Sequence, residues 1–544
     1  MAPNIRRSEL NPPAKARRGG AVFVAAGIFL SRIAGLIRGR VISHYFGAGD
    51  VADVFAAALK IPNFLQNLFG EGVLSASFIP VYARLLGEKK SVEADRVAGV
   101  IATLLAIVTS LLALLGVLLA PYLIQILAGG FPESKRELTI QCVRILFPGV
   151  ALLVMSAWCL GVLNSHRRFF LSYVAPVVWN LSIIGAFLWF GGSQSLDDLA
   201  KSACWGLVIG SFLQLAIQIP TVLKLAPNLK FAAEWSSQNV RAVLGSFSSV
   251  VVSRGVVQIS AYIDGTIATW LPRGSAALLG NAQMIYMLPV GLFGMSVSAT
   301  ALATMSHARG EESDSGTANE KLRAHLDRSL KQVAYFIVPS TAVFLFLGDI
   351  AGAAIFQTGI FGEAQVRKLG WILAGSGVGL LAGTLGRLYS STFYALQDTR
   401  TPLRFAIVRV ILTTLLGCSG ALYLPKWLGI DPEWGAVALT TTSGMAGWIE
   451  FSLLRRALNR RIGVTRLGFN FLAKLWMPAL MAAAWGWGMK LAIDHFRASY
   501  PIHPILTAGL VFGVFGLVYF GGTLLAGVPQ TQDLVRTVRR RLRR

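Results

Sequence analysis

An all-α polytopic membrane protein is the fold class this sequence predicts, and three observations predict it. Of 544 residues, 54% are hydrophobic and 14% charged, too apolar for a soluble enzyme around a single buried core. About fourteen apolar stretches are each long enough to cross roughly 30 Å of hydrocarbon at about 20 residues per crossing. The chain also resembles itself at an offset of about 225 residues, or six stretches, as transporters built from repeated halves do.

The stretches lie at 20–46, 52–84, 97–128, 138–163, 169–192, 198–222, 238–271, 277–307, 328–357, 365–395, 402–424, 434–456, 470–494 and 503–527. Several exceed a minimal span, so tilts and kinks are expected. The leader is polar and basic, and the first stretch carries arginines where a signal core is apolar, so no cleavable signal is expected. Alternate loops collect the basic residues: Arg6, Arg7, Lys15, Arg17 and Arg18; Arg84, Lys89, Lys90 and Arg96; Arg167 and Arg168; and Lys224, Lys230 and Arg241. The series continues through Arg309, Lys321, Arg323 and Arg328, through Arg400 and Arg404, through Arg455, Arg456, Arg460 and Arg461, and into the tail VRTVRRRLRR. Loops between them, such as FGAGD and GGSQSLDD, are poor in base, which places the basic loops and both termini in the cytoplasm.

The same distribution accounts for a formal net charge of +24. Spread over loops and tails, it reads as orientation and attraction to anionic membrane lipids rather than as a nucleic-acid surface. Cys142, Cys159, Cys204 and Cys418 form no CxxC or Cys/His cluster and read as inert core residues. Neither an HExxH, a GxSxG nor a Walker-type loop occurs, so the sequence predicts a transporter with no bound cofactor and no metal site rather than an enzyme.

The repeat pairs IPNFLQNLFGEGVLSASFIPVYARLLGE, from Ile61, with LPVGLFGMSVSATALATMSHARGE, from Leu288. A second pair sets GVLNSHRRFF, from Gly161, beside YALQDTRTPL, from Tyr394. Six crossings return the chain to the same side, so the halves are parallel repeats, an arrangement that sets a substrate site between them. The boundaries expected are a basic tail at 1–19, an N-lobe at 20–225, a C-lobe at 235–457, a C-terminal helix pair at 468–527 and a basic tail at 528–544.

Charges inside the spans mark candidate function, because an ionised side chain at mid-membrane costs at least about 2.5 kcal/mol and is kept facing a cavity or a partner. Arg32, Arg38, Lys60, Glu71, Arg254, Asp264 and Arg387 are the strongest cases; Arg40 sits close enough to its helix end to snorkel. Six positions separate Arg32 from Arg38, about 9 Å along a helix and about 240° around it. Both therefore suit a wide cavity better than a tight core. Arginine's planar fork matches phosphate and carboxylate, so the substrate class expected is an anionic amphiphile. Pro62, Gly70, Gly72 and Pro80 in the second span, and Pro289, Gly291 and Gly294 in the eighth, supply either bends or close helix contacts.

On these residues the chain resembles a known family. SRIAGLIRGRVISHYFGAGDVADVFAAALKIPNFLQNLFGEGVLSASFIPVYARLL, Ser31 to Leu86, is similar to the N-terminal signature of the MurJ (MviN) family of lipid II flippases, and FYALQDTRTP, Phe393 to Pro402, resembles a later motif of that family. The resemblance implies two six-helix lobes in a V with two further helices beside a lipid-tail groove. It implies a substrate of undecaprenyl-diphosphate-linked peptidoglycan precursor, lipid II, moved from the inner to the outer leaflet of the bacterial cytoplasmic membrane by alternating access. Arg32 and Arg38 match the family's cavity arginines, Asp53 and Glu71 match acidic positions of the first helices, and Lys60 matches a basic one. Arg254 and Asp264 complete the substrate-binding set expected here. Gly39, Gln66, Asn67, Met284 and Met287 stand where the family usually carries charge. These departures leave open an exporter of another polyprenyl-linked glycan or amphiphile, or a non-transporting scaffold. An ion gradient or the membrane potential is the expected energy source, with a coupling cation of unspecified identity, and cell-wall synthesis proteins are candidate partners.

Overall fold

The computed structural model describes residues 14–232, 237–298, 301, 305, 315–465, 467–497 and 502–542. Among them the chain is α-helical, with one isolated β-bridge at Thr358 and Phe361. The helices are α1 (Ala14–Phe46), α2 (Asp50–Phe69), α3 (Glu71–Gly87), α4 (Ser91–Leu127), α5 (Glu133–Ser165), α6 (Phe169–Phe190), α7 (Leu196–Leu225) and α8 (Gln238–Ile267). There follow α9 (Ser275–Pro289), α10 (Ser315–Phe346), α11 (Gly348–Phe356), α12 (Glu363–Ala395), α13 (Arg400–Cys418), α14 (Gly435–Ile462), α15 (Phe469–Arg497), α16 (Pro504–Leu525) and α17 (Pro529–Leu542). Nine helices among the described residues are long and apolar enough to cross a membrane on length and composition alone. Large apolar side chains face outward along them, Leu111, Leu114 and Leu118 on α4 and Leu517 on α16 among others. Trp189 and Trp427 are more than 80% exposed near span ends, the level at which tryptophan sits at a bilayer interface.

Local chemistry explains where these helices break. The second apolar stretch is two helices because the chain turns at Gly70, whose N–H donates to the Gln66 carbonyl at 2.7 Å. A Cβ at Gly70 would lie 2.2 Å from that carbonyl oxygen, so only glycine is accommodated. At the matching point of the repeat, Pro289 ends α9 and a π-helical turn occupies Val290–Met295. Proline removes the N–H that would continue the ladder, and the wider turn absorbs the mismatch.

The second repeated pair is legible in the turns as well. After α5, Arg167 takes φ +61°, and after α12, Gln397 takes φ +59°. Both close the same C-cap: Arg168 N–H donates to Leu163 O at 2.8 Å, and Asp398 N–H to Phe393 O at 2.9 Å. Lys89, after α3, repeats it a third time. A left-handed non-glycine residue is disfavoured by about 1–2 kcal/mol, offset here by satisfying the terminal carbonyls.

Backbone contacts divide the chain into two units, Met1–Phe46 with Asp50–Tyr262, and Gly47–Gly49 with Ile263–Arg544. The division falls within α8, whose Val240 and Val243 pack into the first unit's core of Leu74, Phe78, Tyr82, Ile101, Val154 and Trp158. Polar contacts fix the rim of that core: Trp158 Nε1 donates to Ala98 O at 3.1 Å, and buried Asp95 accepts from Asn228 N–H at 3.1 Å.

In the second unit α12 is the central helix, lying against α9, α10, α11 and α14. It approaches α14 through glycine: a Cβ on Gly379 would lie 2.5 Å from Gly444 Cα. Small residues at such a crossing let the backbones meet and gain dispersion contact, the driving force available between helices in lipid. Gly294 approaches α12 in the same way, its added Cβ falling 2.6 Å from Thr384 Cγ2. The eighth stretch therefore uses its small residues for packing as well as bending. The C-terminal pair, α15 and α16, is tied to this unit by the Lys490–Asp349 ion pair and by Tyr519 Oη, which donates to Tyr335 O at 2.7 Å. Thr531 of α17 donates to Tyr335 Oη at 3.0 Å, so the start of the basic tail is anchored in the protein.

Candidate functional site

α1 presents the arginines from a helix that packs along α6. Arg38 is half-buried, and its Nη1 donates to Asn180 Oδ1 at 2.9 Å. Asn180 is aimed by its own Nδ2, which donates to Pro176 O one turn earlier at 2.8 Å. The guanidinium carbon lies 4.8 Å from the centre of the Trp179 ring, within cation–π range. Tryptophan and asparagine thus hold the fork from one side.

Among the described residues no carboxylate pairs with it. Arg38 Nε is buried without a hydrogen-bond acceptor, and so is the Trp179 Nε1 donor. An unpaired buried donor costs about 1–3 kcal/mol, so this pair of donors is a standing demand for an acceptor. Arg32, half-exposed on the same helix, has no hydrogen-bond or ion-pair partner among the described residues. Two cations thus stand in one apolar span, Arg38 oriented by Asn180 and Trp179 and neither in an ion pair among the described residues.

The other expected site residues distribute differently. Asp53 is 2% exposed at the start of α2 and accepts from Lys135 Nζ of α5 at 3.2 Å, with Asp50 on the same ammonium. Lys135 also lies 5.2 Å from the Phe131 ring centre. Asp53 therefore helps tie α2 to α5. Lys60 lies on α2, where its carbonyl accepts the Tyr262 hydroxyl and Tyr262 packs edge-on against Phe64 at 5.1 Å. Asp264 belongs to the second unit. The side chains of Glu71 and Arg254 lie outside the described residues.

Sequence reasoning passed over several of these partners. Asn180 is a lone amide in PVVWNLSII, a polar residue at mid-span that needs a partner, and this signal was available. The second unit holds another: Arg409 of α13 donates to Glu450 of α14 at 3.0 Å, one opposite charge in each of two apolar stretches. Arg387 on α12 is exposed and makes no ion pair among the described residues.

Comparison with known proteins gives a consistent result. The sequence model described as Lipid II flippase MurJ matches residues 42–502. The chain is 26% identical over 523 residues to a probable lipid II flippase MurJ of Vibrio cholerae, covering 93% of this chain and 95% of that one. It is 27% identical over 503 residues to the lipid II flippase MurJ of Burkholderia cenocepacia, covering 90% and 94%. Among solved structures it superposes on a lipid II flippase MurJ in an inward closed conformation with a TM-score of 0.74 at 21% identity, covering 94% of this chain and all of that one. An inward-facing multidrug resistance MATE transporter of the MOP superfamily matches 81% of this chain at a TM-score of 0.63 and 18% identity. At these identities the two structures speak for the fold.

Proposed function

Because the chain belongs to the lipid II flippase MurJ family, a family of transporters rather than enzymes, we propose that it carries lipid II across the cytoplasmic membrane for peptidoglycan synthesis. The observation that carries this reading is Arg38, held by Asn180 and Trp179 inside an apolar helix pair with a buried donor left unmet. A diphosphate supplies the acceptors that site lacks. Arg38 takes one phosphate through its oriented fork, while Arg32, about 9 Å further along the helix, reaches the adjoining part of the head group. The polyprenyl tail stays in lipid throughout.

Alternating access moves the head from the inner to the outer leaflet, with the turn at Gly70 and the π-helical turn at Val290–Met295 as the points where helices flex. The basic loops and both termini lie in the cytoplasm. An ion gradient or the membrane potential drives the cycle; each charge moved through 100 mV supplies about 2.3 kcal/mol.

The test is complementation of a bacterium depleted of its own lipid II flippase, scored by labelling lipid II in the outer leaflet. The parent chain is expected to restore labelling and Arg38→Ala to fail at equal membrane abundance. A well-inserted parent that restores nothing overturns the proposal.

A further inference from the structure

The end of α14 carries a second cationic feature, remote in sequence from Arg32 and Arg38. A cavity of about 480 Å³ opens there, lined by the apolar Phe451 and Val464 and by Ser452, Arg455, Arg456, Asn459 and Arg460. Phe451 is fixed, because it is buried edge-on against Tyr389 at 5.6 Å and against Trp448 at 5.7 Å.

The neighbouring cation shows what is unusual about this group. Arg461 is spoken for: its Nη2 pairs with Asp398 at 2.7 Å and its guanidinium lies 5.3 Å from the Phe393 ring centre. Arg455, Arg456 and Arg460 have no such partner among the described residues. Arg456 and Arg460 stand four residues apart, where like charges on a helix repel. Asn459 turns its Oδ1 to Thr465, accepting from N–H at 3.1 Å and from Oγ1 at 2.9 Å, which leaves its amide donors available. Three guanidinium groups and an amide thus line one cavity beside an aromatic side chain, with no carboxylate among its lining residues.

We propose that this cavity binds the phosphate of an anionic phospholipid, with Arg455, Arg456 and Arg460 on the phosphate and the acyl chains passing over Phe451 and Val464. Lipid is favoured over a free anion because the cavity starts where the apolar stretch 434–456 ends, the depth of the head groups, and because its lining includes apolar side chains. A bound phosphate also relieves the repulsion between Arg456 and Arg460. The inference does not rest on transport, so the two proposals fail independently.

Native mass spectrometry of the purified full chain in detergent reads the binding directly, with phosphatidylglycerol, phosphatidylcholine and inorganic phosphate as probes. The R455Q/R456Q/R460Q variant is expected to bind phosphatidylglycerol roughly hundredfold more weakly, given the usual gain per basic residue at an anionic surface. Arg456→Gln alone, at an exposed position, should weaken it about fivefold by the same reckoning. The control R536Q/R539Q/R540Q removes equal charge from α17 and should bind within about threefold of the parent. Equal loss in both triple variants, no loss in the first, parental indifference between the two lipids, or displacement of lipid by equimolar phosphate would each overturn the proposal.

Discussion

Arg38 could hold α1 to α6, or it could be held in readiness for an anion, and Arg38→Ala separates the two. As structural glue it contributes one charge-assisted hydrogen bond to Asn180, about 1.5–3 kcal/mol, and a cation–π contact with Trp179, about 0.5–2 kcal/mol. Against this stand the several kcal/mol needed to desolvate a guanidinium that pairs with no carboxylate among the described residues and a buried Nε with no acceptor. The sums nearly cancel, so in the empty protein Arg38→Ala should change stability by no more than about 1 kcal/mol, a shift of a few degrees at most in a protein of this size. Ligand affinity behaves differently. Loss of two charge-assisted bonds to a diphosphate costs about 3 kcal/mol, roughly 150-fold in Kd. Arg38→Lys keeps the charge but loses the fork and most of the stacking, and should fall between. The assay is lipid II binding to purified protein beside thermal unfolding of the same sample. A large drop in melting temperature with unchanged affinity would refute the reasoning and make Arg38 a structural tie.

Other positions give sharper stability effects. Lys135→Ala removes the ammonium that the buried Asp53 carboxylate shares with Asp50 and should destabilise the chain by up to about 3 kcal/mol, seen as a lower melting temperature that Asp53→Asn partly restores in the double variant. Asp398 caps α13, accepting from Thr401 Oγ1 and from the N–H groups of Arg400 and Thr401, and pairs with Arg461. The Thr401 hydroxyl, its N–H and the Arg461 guanidinium hold this carboxyl down at about 2. Its folded value is depressed, so its contribution is present above the ordinary carboxylate range near 4 and disappears as pH falls toward 2. Asp398→Ala should cost about 1 kcal/mol at neutral pH, and the gap to the parent should close in melts taken near pH 2; a gap independent of pH would count against the cap. Gly444→Ala drives a methyl into the α12 backbone, 2.8 Å from Gly379 N, and should destabilise by about 1–3 kcal/mol, whereas Gly488→Ala, with open space around it, should unfold like the parent.

Much of this protein was written locally. Hydropathy pointed to helices, because a backbone in lipid must satisfy its hydrogen bonds within each segment; the described parts of the apolar stretches are helical, and nine described helices are long and apolar enough to span. The break at Gly70 and the wide turn after Pro289 follow from single residues whose backbone chemistry allows nothing else. The cost of a bare charge in hydrocarbon singled out Arg32 and Arg38 without any knowledge of neighbours.

Tertiary structure decided which charges are engaged. Sequence offered Asp53 as a candidate site residue with no partner in view, and packing brings it Lys135, 82 residues away. Asn180 lies 142 residues from the arginine it orients, and Glu450 and Arg409 meet only because α13 and α14 pack together. Arg455, Arg456 and Arg460 at the end of α14 have no ion-pair partner among the described residues, while Arg461, adjacent in sequence, pairs with a carboxylate from another turn. Sequence fixes the energy penalty of each buried charge, since that depends on the side chain and the lipid around its helix. Whether the penalty is cancelled by the protein or left for a ligand to cancel depends on contacts of a few ångströms between helices far apart in the chain, and those exist only after packing.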